Sequence, residues 1–166
     1  MVTDIGEYLV GAYLQLIDGC DFVQYNVRPP RGGLEGLNEL DVIGFNFVAK
    51  TAYVCEVTTH ITGLLYGTYS ETIQKLKDKH QRQRTYALKY LTNFDKLIFQ
   101  FWSPVVPVGA ITSGLSELKE LELVINDEYT RRVQSLQELA RSTTYDARNP
   151  VFRLLQILAH MRGSAA

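Results

Sequence analysis

Asn38-Glu39-Leu40-Asp41-Val42-Ile43-Gly44 and, a few residues later, Tyr53-Val54-Cys55-Glu56-Val57-Thr58 each set an acid inside an apolar run. Buried carboxylates are rare without a partner or a task. The β-branched and aromatic content of both runs predicts strands over residues 39–48 and 52–59. Ala49-Lys50-Thr51 is short enough to join them as a hairpin, although it lacks an Asn-Gly turn. Alternation then sends Glu56 and Thr58 to one side of their strand, and Glu39 and Asp41 to one side of theirs. Strands about 4.8 Å apart bring Asp41 and Glu56 within the span of one divalent cation. Two carboxylates desolvated together favour such a cation. Mg²⁺ (or Mn²⁺) suits the pair, taking one or two carboxylates and completing its shell with phosphate oxygens and water. The plainer alternative is a structural polar pair satisfied by neighbouring side chains.

Outward from this hairpin, helical spacing of Ile5, Leu9, Ala12, Tyr13, Leu16 and Ile17 predicts a helix capped by Thr3 or Asp4. Residues 22–27 read as a short strand, followed by Pro29-Pro30 and a Gly-rich loop. Beyond the hairpin, Ser70 is a candidate cap for a long helix to about Leu91. Residues 96–102 and 121–125 read as strands buried on both faces, separated by a short helix over 113–119. Two closing helices are expected: 127–142, burying Val133, Leu136 and Leu139, and one from Asn149-Pro150 to Met161, burying Phe152, Leu155, Ile157 and Leu158. Strands and helices in this order imply an α/β chain, a three-layer fold with a central mixed sheet flanked by helices. One domain is expected over 1–166, with a core over roughly 3–126 and C-terminal helices over 127–162.

The totals fit one compact domain with an ample apolar core: 166 residues, 46% apolar, net charge −1. Near-neutral charge neither demands nor excludes a nucleic-acid partner; distribution decides. Cys20 and Cys55 lie far apart among apolar neighbours and read as buried thiols rather than a disulfide. No apolar run approaches the ~20 residues needed to span a bilayer. The start is polar, so the expectation is a cytoplasmic protein with no membrane partner.

An acid in one strand, Glu-X-Lys in the next and a glutamate in an N-terminal helix make up the signature of PD-(D/E)XK nucleases. This chain resembles that restriction-endonuclease-like superfamily, and within it the archaeal Holliday-junction resolvases and Mrr-type enzymes. The matching positions are Glu7 in Gly6-Glu7-Tyr8-Leu9, Asp41 in Leu40-Asp41-Val42-Ile43, and Glu56 in Cys55-Glu56-Val57-Thr58. The likeness covers roughly residues 3–102. It implies a divalent-metal-dependent DNA endonuclease, with Asp41 and Glu56 as metal ligands and Glu7 supporting the metal or its water shell. The departure is Thr58, which stands where the motif has lysine and brings no charge. Lys75, Lys77 or Lys79 of the basic helix could reach inward instead, and His60 follows Thr58 on the same face. Glu39 could assist or replace Asp41. His60, His80 and His160 show no mutual metal spacing and read as surface or boundary residues.

The long helix carries Lys75, Lys77, Lys79, Arg82, Arg84 and Lys89 with Asp78 as the compensating acid. Lys75, Lys79 and Arg82, with Arg28 and Arg31 of the Gly-rich loop, are the candidate DNA contacts. The same charges could equally form a solvated helix face. Relatives of this kind work as dimers, and the apolar C-terminal helix is a candidate homodimer face. The alternative function is a non-catalytic nuclease-fold module that binds nucleic acid or a protein partner without cutting.

Overall fold

The computed structural model of the chain describes residues 3–30 and 39–162. Along the chain run α1 (Ile5–Leu16), β1 (Phe22–Val27), β2 (Leu40–Asn46), β3 (Thr51–Val57), α2 (Tyr69–Tyr90) and β4 (Lys96–Ser103), then α3 (Ala110–Ser116), β5 (Leu121–Ile125), α4 (Asn126–Ser142) and α5 (Pro150–His160). The five strands form one sheet in sequential order. β1, β2 and β3 are antiparallel neighbours, while β3, β4 and β5 run parallel. The mixed sheet expected from the sequence is therefore present. Parallel pairing obliges a crossover between successive strands, and α2 and α3 supply the two.

Three apolar clusters fill the two faces. Val10 and Leu14 of α1, Leu136 of α4 and Phe152 of α5 meet Val42, Cys55, Trp102 and Val124 on one side of the sheet. On the other, Tyr86 and Ala87 of α2 cover Ile43, Val54 and Phe99. Leu76 with Ile111 and Leu115 of α3 covers Phe101. The result is three layers, helix–sheet–helix, with both C-terminal helices sharing the core of α1. Close approach is set by glycine: a Cβ on Gly11 would lie 2.0 Å from the Tyr25 hydroxyl oxygen.

Several element ends and faces differ from expectation. The long helix begins at Tyr69, because Thr68 rather than Ser70 caps it in a reciprocal box with Glu71. The short helix starts at Ala110, three residues earlier than its polarity suggested. β5 is an edge strand, so only Val124 is buried and Glu122 faces solvent in part. Ile157 and Leu158 are exposed, and Gln156 is buried in their place. Its amide donates to the Thr143 and Tyr145 carbonyls, 3.1 Å each. α4 buries Arg132, Leu136 and Ala140, leaving Val133 and Leu139 only half-covered. Both cysteines are free and buried, as expected.

A polar chain crosses the α1–α4 side of the sheet. Gln100 Oε1 accepts from the Cys55 thiol at 3.3 Å and the Trp102 indole at 2.9 Å, and Gln100 Nε2 donates to Glu122 at 2.6 Å. Arg132 pairs with Glu122 and Glu128 beneath the rings of Tyr13 and Trp102. No buried side-chain nitrogen or oxygen of Gln100, Trp102 or Arg132 lacks a hydrogen-bond partner, which is what a buried network requires. Among the described residues, no helix is long and apolar enough to cross a membrane.

Candidate active site

The site lies where β2 begins and β3 ends. In the β2–β3 ladder Val42 faces Cys55 and Ile43 faces Val54, and one step further sets Asp41 opposite Glu56. Cross-strand partners share a face. Glu56 therefore projects toward α2, on the side of Val54 and Phe101. The Val57 amide donates to Asp41 Oδ2 at 2.8 Å, fixing that carboxylate across the strand end. Burial raises the Asp41 pKa, while the Val57 N–H and the Lys79 charge pull it down.

Lys79 is the lysine that turns inward. Its ammonium forms an ion pair and hydrogen bond with Glu56 Oε1, the Glu56 side chain being 8% exposed and that of Lys79 27%. Burial depresses the Lys79 pKa, and Asp41 acts the other way. Leu76, Phe101 and Leu121 wall the pair off from below. Helix phase makes the choice: on α2, Leu76, His80, Gln83 and Ala87 face the sheet, and Lys79 sits at the margin of that buried stripe. Its long stem then carries the charge to the carboxylate. Lys75 rests instead 3.7 Å above the Tyr66 ring.

Thr58 follows the strand directly. Its amide donates to the Trp102 carbonyl at 2.9 Å, and its hydroxyl is buried without a hydrogen-bond partner. An orphaned buried hydroxyl of this kind fits a water or ligand oxygen. Glu7 arrives from the other face because Gly6 packs tightly on the strand end; a Cβ there would lie 2.3 Å from Thr59 Cγ2. Glu7 Oε2 accepts from Asn26 Nδ2 at 2.9 Å and from the Asp4 amide at 3.1 Å, closing the α1 capping box. Asn26 adopts φ 51°, a left-handed conformation that Asn tolerates, at the end of β1. Burial raises the Glu7 pKa, and the nearby Asp41 charge adds to it.

Glu39 Oε2 lies 3.8 Å from the guanidinium of the mostly exposed Arg28, too far for a hydrogen bond, and that buried oxygen has no hydrogen-bond partner. Arg31 lies outside the described residues. Arg82 is exposed on α2. His80 is buried rather than superficial, its Nε2 3.0 Å from the Lys119 carbonyl oxygen. His160 Nε2 lies 3.2 Å from the Ala140 carbonyl oxygen and plays no part here.

Among the described residues, no three His, Cys, Asp or Glu side chains converge on one metal position. Asp41 and Glu56 are two carboxylates at facing positions, the number that Mg²⁺ takes from protein when phosphate and water complete its shell. The burial of Glu56, the half-burial of Asp41, the Asp41 charge that helps raise the Glu7 pKa, and the orphaned Thr58 hydroxyl fit a small hard cation with ordered water. Comparison with family models, with curated proteins and with solved structures returned no match.

Proposed function

We propose that the chain is a divalent-metal-dependent DNA endonuclease of the PD-(D/E)XK type, with Lys79 of α2 in place of the lysine absent at Thr58. The observation that carries this reading is the buried Lys79–Glu56 pair beside Asp41. It restores, from another element, the charge set of two carboxylates and one cation that phosphodiester hydrolysis needs. A Mg²⁺ or Mn²⁺ ion held by Asp41 and Glu56 would offset charge on the phosphate and make water more acidic. The chain's own groups do the rest. The Val57 N–H holds Asp41 in one orientation, and Lys79 offsets charge at the phosphoryl oxygens. The Thr58 hydroxyl orients a water, and Glu7, fixed by Asn26, supports the water shell. Lys75, Arg82 and Arg28 would meet backbone phosphates, giving an affinity that falls with salt. The exposed Leu154, Ile157 and Leu158 of α5, with Met161 at its C-cap, support a homodimer through that helix.

A second reading, a non-cutting module that binds nucleic acid or a protein partner, is favoured by the uncharged Thr58 and by the two-carboxylate limit of the site. Labelled duplex and four-way-junction DNA, incubated with Mg²⁺, Mn²⁺ or chelator, separates the two. Metal-dependent cutting is expected. It should vanish in Glu56→Ala and fall by about a hundredfold or more in Lys79→Ala. Binding without cutting under every metal condition would establish the module instead.

A further inference from the structure

Residues 58–68, which lead from β3 into α2, form a fixed wall at the mouth of the candidate site. The loop is pinned by Leu64, which is fully buried and whose amide donates to the Val105 carbonyl at 3.0 Å. The Tyr66 amide donates to Thr72 Oγ1 at 2.8 Å, and Gly63 and Gly67 take the positive φ angles of the two bends. On α2, Lys75 and Lys79 stand four residues apart and therefore project from one side, one turn or about 5 Å apart along the helix. Lys79 reaches Glu56 while Lys75 lies on the Tyr66 ring. The Tyr66 ring is near enough to the site for the Asp41 charge to add to the burial that raises its hydroxyl pKa.

Tyr66 is anchored against the Leu64–Leu76–Phe101 core. The His60 ring meets it edge-on, with centroids 5.5 Å apart and planes at 85°. His60 itself is exposed, and its neighbour Ile61 is 81% exposed. An exposed imidazole in edge contact with the Tyr66 ring, a bare branched apolar side chain and the Lys75 cation on that same ring thus stand together, a few residues along the chain from buried Glu56 and Thr58. Bases stack on rings and apolar side chains, while phosphates go to cations. Bases inside an intact duplex offer their faces only to one another, so this surface fits a base that has left the stack.

We infer that the His60–Ile61 surface, with Lys75 beside it, binds an unpaired nucleobase next to the scissile phosphate. The substrate class of the site is then nucleic acid with a locally unpaired strand, a single strand being the simplest case. This rests on the nuclease reading above.

The test is fluorescence anisotropy of a labelled 15-nucleotide single strand (length chosen at about one site size) and of its blunt duplex, in chelator so that nothing is cut. Wild type is expected to bind the single strand about fivefold or more tightly than the duplex. The double variant His60→Ala/Ile61→Ser should lose about fivefold to tenfold on the single strand and less than about twofold on the duplex. Lys75→Ala should weaken both equally. These residues are on the surface, and unchanged thermal melts would show that the variants are folded. Equal losses on both substrates, no loss on either, or no single-strand preference in the wild type would overturn the inference. Its failure is distinct from failure of the nuclease reading. Cutting with an indifferent His60→Ala/Ile61→Ser variant sinks only the inference, whereas a His60-dependent preference without cutting on any substrate sinks only the catalysis.

Discussion

Lys79→Met removes one charge from the candidate site and leaves its partner in place. Glu56, with its side chain 8% exposed, has little access to water once the ammonium is gone. Removing one member of a buried pair costs about 3–5 kcal/mol. Met preserves much of the stem packing and solvent reaches part of the site, so the expected loss is about 2–3 kcal/mol. The reverse change is milder. In Glu56→Gln the Lys79 ammonium, 27% exposed on a flexible stem, can turn to water, for a loss of about 1 kcal/mol or less. The double variant Lys79→Met/Glu56→Gln should recover most of what Lys79→Met loses, because the two residues act as one unit. Urea unfolding at pH 7, followed by the fluorescence of the single, fully buried Trp102, measures all three. Millimolar Mg²⁺ should then stabilise Lys79→Met more than wild type, since a ligand that binds only the folded state adds to stability. A loss below about 0.5 kcal/mol, or equal losses for the two single variants, would mean that the pair behaves as a surface contact and would refute the reasoning.

Two further outcomes test the rest of the fold. Asp18 has a pKa raised from 3.8 to about 6, first by burial and further by Glu122, with Arg132 opposing. A raised folded-state pKa means that its contribution is fully present below about 3.8 and is lost as pH rises through about 6. The gap corresponds to about 3 kcal/mol, cut to about 1–2 kcal/mol by solvent at this partly exposed group. Asp18→Asn should therefore stabilise the protein at pH 7.5 and do nothing at pH 3.5, as urea titrations at the two pH values would show; a gain independent of pH would contradict this origin. Gly11→Ala, which in an open helix would add about 1 kcal/mol, should instead destabilise by about 1–3 kcal/mol, because the new Cβ meets the Tyr25 ring and hydroxyl. A raised melting temperature would show that Tyr25 yields freely.

The hairpin and its two acids were legible in the sequence because strand alternation is local: Asp41 and Glu56 interrupt apolar runs, and their pairing follows from a short connection. The α/β class followed from element order for the same reason. Which lysine serves the site was not legible. Lys75, Lys77 and Lys79 crowd five positions of one helix, and only the phase at which α2 meets the sheet sends Lys79 to Glu56 and Lys75 to Tyr66. Burial on the outer elements was equally out of reach. Ile157 and Leu158 have the spacing of a core stripe, yet α5 turns Gln156 inward, where two loop carbonyls accept its amide. β5 reads as a fully buried strand, but as the last in the sheet it leaves Glu122 at the margin for Gln100 and Arg132 to meet. His80 gives no sign in sequence of its partner, the Lys119 carbonyl, which lies on the far side of β4 in chain order. Local periodicity is written residue by residue and fixes what each segment becomes. The phase of a helix against a sheet, and which strand ends as an edge, depend on contacts between segments far apart in the chain; these the tertiary structure alone decided.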